Sequence, residues 1–273
     1  MIITALLENE TVSSQYEKKH GLSLYVKTQE HNILFDLGPD ETFIKNAEKM
    51  NIDLKEVNIV VISHGHNDHG GGLKAFLEYN DKAKIYIRKS AFNPHYTTPL
   101  LWTKINIGLD NELMDNERII FTDDQFNIDE NLCLFSNVKM DRLLPEGNKS
   151  LYKKENNKFI NDDFSHEQNL LIFEDGEYTL LSGCSHCGIV NILDKAEGMA
   201  QKHISTAIGG FHLFKIGMTK NETVDAIGNE LMKRKTKFYT CHCTGVKSYE
   251  RLKEEMKDKI EYLKTGQTVE VIY

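Results

Sequence analysis

The run Val57-Asn58-Ile59-Val60-Val61-Ile62 is apolar and β-branched, and Ser63-His64-Gly65-His66-Asn67-Asp68-His69-Gly70-Gly71-Gly72 follows it at once. The first half predicts a short buried strand. The second predicts a loop leaving it, and Leu73-Lys74-Ala75-Phe76-Leu77 then starts a helix. The loop carries three imidazoles and a carboxylate at a strand end, where α/β sheets carry their chemistry. A neutral imidazole is the commonest metal ligand, and a carboxylate suits the same cations. Adjacent side chains diverge, so one loop cannot wrap all four groups around one ion. It can divide them, with His64 and His66 facing one ion and Asp68 and His69 a second. The glycines let the backbone turn without steric cost. The alternative is a polar surface loop, which would have to gather three of the chain's 11 histidines by chance.

A two-ion site needs further donors, and the later candidates also stand at predicted strand ends. Cys184 and His186 follow Leu180-Leu181, and at a spacing of two they share a face if the strand geometry persists. His242 follows Phe238-Tyr239-Thr240, and His166 precedes Asn169-Leu170-Leu171-Ile172-Phe173. His212 comes after Gly209-Gly210-Phe211 and suits substrate binding or proton donation better than ligation. His20, His31, His95 and His203 have no such company and read as surface histidines. Cys184-x-x-Cys187 and Cys241-x-Cys243 also permit a structural zinc knuckle or a redox pair, although a CxC spacing suits a tetrahedral knuckle poorly.

His64-x-His66-x-Asp68-His69 resembles the signature loop of the metallo-β-lactamase-fold hydrolases. Gly183-Cys184-Ser185-His186-Cys187-Gly188-Ile189-Val190-Asn191, Gly209-Gly210-Phe211-His212-Leu213 and Cys241-His242-Cys243-Thr244-Gly245 resemble a subfamily of methanopterin-biosynthesis, dihydropteroate-synthase-like or ribofuranosyl-aminobenzene phosphate synthase proteins. The likeness covers most of the chain and is weakest from about Ala91 to Ser165. It implies an α/β (α+β) chain folded as a four-layer αββα metallo-β-lactamase sandwich. It also implies two divalent metal ions, zinc before manganese or iron, held by donors drawn from His64, His66, Asp68, His69, His166, Cys184, His186 and His242. In that family the position of His242 is the last ligand, and the middle histidine falls on His166, with His186 competing for the role. Cys184 stands where many relatives carry a bridging Asp or a ligating Cys, and a thiolate bridges two hard ions less well than a carboxylate. An acidic residue at the place of Asp36 supports the loop in the family, while turn capping explains an Asp there equally well.

The remaining sequence predicts strands at 2–8, 22–28, 33–37, 84–88, 178–181, 206–208, 238–240 and 270–273. Helices are predicted from Asp40 to Met50, Ile189 to Gln201, Thr223 to Lys235 and Ser248 to Lys257. The turn Glu174-Asp175-Gly176-Glu177 marks a hairpin. The whole, 1–273, reads as a single domain of two halves with similar element order. It carries an insertion at about 91–165 that would serve as lid and substrate wall, with Tyr96, Trp102 and Tyr152 available for stacking, or as a tolerated surface excursion. A net charge of -8 argues against a surface dominated by phosphate contacts, although it leaves room for a local basic patch, and no nucleic-acid partner is expected. The start lacks a basic n-region, and no apolar stretch approaches the roughly 18 residues that span a bilayer, which predicts a cytoplasmic chain without a membrane partner. Five cysteines without an export signal argue against a disulfide framework, and Cys133 reads as a small buried hydrophobe. The partner expected is a small-molecule substrate, with a homodimer left open.

Three functions fit. The first is a metal-dependent hydrolase acting on a phosphoester or related phosphorylated small molecule, with a lactone or thioester second. Its water would be activated by metal, with Asp68 orienting it and His212 stabilising charge or protonating the leaving group. The second, carried by the resemblance alone, is a synthase joining a pterin methyl diphosphate to an aminobenzene ribofuranosyl phosphate. The third is a non-catalytic protein that senses metal or thiol state.

Overall fold

The structure, a computed structural model, describes residues 1–98, 103–214 and 219–271. Trp102 and the end of the predicted closing strand, Ile272 and Tyr273, lie outside them. The described chain divides into two compact units. The first comprises Met1–Asp123, Ser150–Gln168 and the stretch from Lys264; the second comprises Asp124–Lys149 and Asn169–Leu263.

In the first unit a seven-stranded sheet runs in the order Thr268–Glu270, Ile2–Leu7, Ser23–Lys27, Asn32–Phe35, Ile59–Val61, Lys84–Ile87 and Ile119–Phe121. The last four strands are parallel to one another. Ile59, Val60 and Val61 are all buried, as expected of a strand covered on both faces. The helix Thr42–Lys49 buries Phe43, Ile44 and Ala47, and the helix Leu73–Tyr79 buries Leu73 and Phe76, with the Phe43 and Phe76 rings 6.4 Å apart. Asp40 lies two residues ahead of the first helix, where its carboxylate accepts from the Thr42 N–H at 3.0 Å; Glu41 occupies the cap itself without a side-chain bond. The loop 63–72 therefore leaves the C-terminal end of a central parallel strand and is pinned between it and a packed helix.

The stretch 91–165 is more ordered than its composition suggests. Lys158–Asn161, Leu151–Glu155, His95–Thr97 and Ile105–Asn106 make a four-stranded antiparallel sheet. Tyr96 packs edge-on against Phe159 at 4.9 Å, and the Lys104 ammonium covers the Tyr152 ring at 3.3 Å, so these aromatics are engaged with the chain's own groups.

The second unit holds another seven-stranded sheet, ordered Ile260–Tyr262, Lys237–Thr240, Thr206–Gly209, Glu177–Ser182, Gln168–Glu174, Leu132–Ser136 and Gln125–Asn127. The hairpin at Asp175-Gly176 is present, with φ of 52° and 81°, the left-handed pair of a two-residue I′-type turn. Helices run over Ile189–Ala200, Asn221–Met232 and Val246–Met256. The strands Glu177–Ser182, Thr206–Gly209 and Lys237–Thr240 are adjacent and parallel, and their C-terminal ends lead into Cys184, His212 and His242 respectively. The short strand Ile260–Tyr262 was not foreseen, because three residues after a helix show no period. Cys133 is half-buried rather than buried. No helix among the described residues is long and apolar enough to cross a membrane.

Gln168 fixes the strand ends beneath the loop. Its amide donates to the carbonyls of Ile62 at 2.8 Å and Tyr86 at 3.0 Å, its oxygen accepts from the Thr122 hydroxyl at 2.6 Å, and its own N–H donates to the Ser63 carbonyl at 2.8 Å. Gln168→Ala removes the three side-chain bonds from a buried place. It is expected to lower stability by about 2–4 kcal/mol in urea unfolding, and a loss under about 0.5 kcal/mol would contradict that role.

Candidate metal centre

Asp36 organises the loop of the first unit. It is fully buried, and its backbone holds φ of 62°, an uncommon conformation for a non-glycine residue. One carboxylate oxygen accepts from the Ser63 N–H at 2.7 Å; the other accepts from the Ser63 hydroxyl at 2.7 Å and from Nδ1 of His69 at 2.6 Å. The Ser63 oxygen, having given its proton to Asp36, accepts from Nδ1 of His64 at 2.8 Å. These bonds fix the tautomers. His64 and His69 both carry their proton on Nδ1, so the lone pair of each lies on Nε2, the form that ligates a cation. The rings of His66 and His69 lie 4.5 and 4.1 Å from that of His64. Burial, then the neighbouring His166, push the His66 imidazole well below its ordinary range and keep it neutral. Asp68 stands with a carboxylate oxygen 3.9 Å from Nε2 of His69 and 3.2 Å from Nε2 of His20. Asp36 thus acts as a support for the loop and not merely as a turn cap.

A second group of donors in the same unit is His66, His95, Asp162 and His166, all buried and within 4.8 Å of one another. His95 is therefore no surface histidine, contrary to its isolation in sequence. Its Nδ1 donates to Asp162 at 2.8 Å. His166 accepts from the Gly65 N–H on Nδ1 at 2.9 Å, so its proton sits on Nε2, 3.3 Å from the same carboxylate. The other oxygen of Asp162 accepts from the Phe164 N–H at 2.9 Å. Burial alone would raise the Asp162 carboxyl, but the bonds from His166 and His95 outweigh it and hold it well below the usual range. Gly65 has no room for a side chain: a Cβ would overlap the Ala91 carbonyl and crowd the His95 ring. In this arrangement His166 braces the loop through Nδ1.

In the second unit, the ligand atoms of Cys184, His186 and His212 lie within 4.8 Å of one another, as do those of Cys184, His242 and Cys243. Asn148 orients His186. Its amide donates to the His186 carbonyl at 2.8 Å, and its oxygen lies 3.1 Å from Nδ1, which places that proton on Nδ1 and the lone pair on Nε2. Ser185, His212 and His242 all hold left-handed backbone, with φ of 56°, 49° and 49°. Such strain gathers where side chains must be aimed. Ser185 is tied to the Ser182 hydroxyl at 2.8 Å and donates to the Gly210 carbonyl at 2.6 Å. Burial would raise the Cys243 thiol, but bonds from Cys184 and His212 and the charge of His242 bring it well below its ordinary value. Asn148, His95 and Asp162 were invisible in the sequence because each acts across dozens of residues and none carries a local pattern.

The donor chemistry fits divalent metal binding, with neutral imidazoles whose tautomers are set by second partners, a carboxylate, and thiols. Replacing the brace tests its role. Glutamine can accept from the Gly65 N–H as Nδ1 does, so His166→Gln should keep the metal content and His166→Ala should lower metal affinity about 10–100-fold in chelator competition. Equal losses in both variants would make His166 a ligand instead. Acid should also weaken the metal-stripped protein. His66 and His166 are lowered on folding, so their contribution is complete above about pH 6.5 and is lost as the pH falls, when the unfolded chain takes up protons that the folded one refuses. Tm measured with chelator present should fall from pH 7 to 5, and a level or rising Tm would contradict this.

A model of the metallo-β-lactamase superfamily matches residues 18–190 of the chain. Among curated relatives, the 7,8-dihydropterin-6-methyl-4-(beta-D-ribofuranosyl)-aminobenzene-5'-phosphate synthase of Methanocaldococcus jannaschii is 27% identical, over 94% of this chain and 92% of its own. Among solved structures, Tm1679, described as a metal-dependent hydrolase of the β-lactamase superfamily, is similar with a TM-score of 0.84 and 29% identity, covering 99% of both chains. The Zn(2+)-bound PqqB of Methylobacterium extorquens has a TM-score of 0.59 at 13% identity over 99% of this chain and 100% of that one, a likeness of fold alone. The family match includes both the loop His64–His69 and the turn at Cys184 and His186. The chain belongs to the metallo-β-lactamase superfamily, and it has the α/β fold of that family.

Proposed function

We propose that the protein is a metal-dependent hydrolase of phosphoesters or related phosphorylated small molecules, working with two divalent ions, zinc first. The observation that carries this reading is the Asp36–Ser63 network, which turns the lone pairs of His64 and His69 outward from their supports. Tm1679, a metal-dependent hydrolase, supports it at 29% identity. In the first unit the ligands are His64, His66, Asp68 and His69; in the second they are Cys184, His186 and His242. A bound divalent ion supplies Lewis acidity, lowering the pKa of water and taking up charge on the attacked oxygen. The chain's own groups do the rest. Asp68 accepts a hydrogen bond from the attacking water and orients it. His212 donates a proton to the leaving oxygen. Asp36 and Ser63 hold the rings of His69 and His64 in register.

A second reading is favoured by one observation, the 27% identity over nearly the whole chain to the 7,8-dihydropterin-6-methyl-4-(beta-D-ribofuranosyl)-aminobenzene-5'-phosphate synthase. There the same groups would stabilise a departing diphosphate while an aromatic carbon or amine, not water, attacks. Fold likeness does not choose between these reactions.

A panel of phosphomonoesters, phosphodiesters, a lactone and a thioester, assayed with zinc or manganese, tests the proposal. Turnover of a phosphoester is expected, with kcat falling about 100-fold or more in Asp68→Asn. Turnover untouched by that substitution would refute the assigned role of Asp68. Condensation of the pterin and aminobenzene substrates, with no ester hydrolysed, would establish the second reading. Bound metal without any turnover would favour the sensing protein.

A further inference from the structure

The sequence groups four cysteines around two histidines, and the second unit separates them. Cys184 and Cys243 come together with His242 within 4.8 Å, from turns that follow different strands of the sheet. All three are buried. Paired buried cysteines most often behave as small hydrophobes. Here, though, the surroundings of Cys243 are polar and aimed at sulfur. The His212 N–H donates to its Sγ at 3.2 Å. The Cys243 thiol in turn points to the Cys184 carbonyl at 3.6 Å. The backbone has also been brought up to the sulfur, since a Cβ on Gly210 would overlap Sγ of Cys243. Main-chain N–H groups donated to sulfur, and backbone packed against it, are the outer partners that thiolate ligands carry.

We propose that Cys184, Cys243 and His242 form a thiolate-rich zinc site within the second unit, with Cys243 as a ligand in its own right. This rests on the reading of the chain as a metal protein, but it differs from the expected hydrolase donors, which include Cys184 and His242 and leave Cys243 to the alternative knuckle or redox pair. Two sulfurs and one imidazole suit Zn2+ over harder ions such as Mg2+ or Mn2+. On binding, each thiol gives its proton to solvent and its sulfur lone pair to the ion, so two protons leave per ion. The ligand atoms of His186 and His212 lie within 4.8 Å of that of Cys184.

The test is zinc-edge X-ray absorption on the wild-type, zinc-loaded protein. A sulfur shell at about 2.3 Å is expected, corresponding to two sulfurs per thiolate-bound zinc, beside nitrogen and oxygen at about 2.0–2.1 Å. The sulfur shell should fall by about half in Cys184→Ser and in Cys243→Ser alike, and stay unchanged in Cys133→Ser, a half-buried cysteine away from the cluster. Nitrogen and oxygen neighbours alone would overturn the proposal while leaving the metal-hydrolase reading intact. A shell of one sulfur, lost in Cys184→Ser and kept in Cys243→Ser, would also overturn it. Absence of bound zinc would overturn both. With two zinc ions per chain the wild-type shell averages about one sulfur per zinc, so it is read beside the zinc content, and the two serine variants distinguish two sulfur ligands on one ion from one sulfur shared by both.

Discussion

A single buried carboxylate holds the first unit's chemistry in place. Asp36 takes three hydrogen bonds, two from Ser63 and one from His69. A buried anion without such donors would be costly by several kcal/mol, so the loop has to close in this one way for Asp36 to be tolerated. The same bonds that satisfy the anion choose the imidazole tautomers. Stability and ligand competence are therefore set by one arrangement, and the left-handed φ of Asp36 is the local strain that the arrangement absorbs.

The second unit solves the matching problem with different means. Three adjacent parallel strands end in tight turns, and left-handed Ser185, His212 and His242 direct the chain there. Asn148, from a separate segment, selects the tautomer of His186 by holding both its carbonyl and its ring. Neutral amides and backbone groups do here what an anion does in the first unit. That difference suits sulfur donors, which carry their own negative charge once bound.

Much of this was legible in the sequence where the signal was local. The β-branched run ending at Ile62, the histidine loop, the Asp-Gly hairpin and the helix periods are all short-range patterns, and the described elements fall close to them. The supporting role of Asp36 was left open beside a turn cap, and only the bonds to Ser63 and His69 decide it. What the sequence hid was long-range. His95 looked solitary because its partners, Asp162 and His166, lie far along the chain. The sheet made by 95–97, 105–106, 151–155 and 158–161 was hidden by a polar, proline-bearing composition, since alternating charge on exposed strands resembles loop. The closeness of Cys243 to Cys184 is hidden in the same way, since the two stand on turns after different strands, 59 residues apart.

The account rests on loop imidazoles that hold divalent metal in the geometry Asp36 imposes. Its most direct test is elemental analysis of the wild-type protein, prepared without chelators, beside a His64→Ala variant. The account predicts about two equivalents of zinc, manganese or iron per chain, falling in the variant. Folded wild-type protein that binds no metal, or a variant that keeps its full complement, would contradict it.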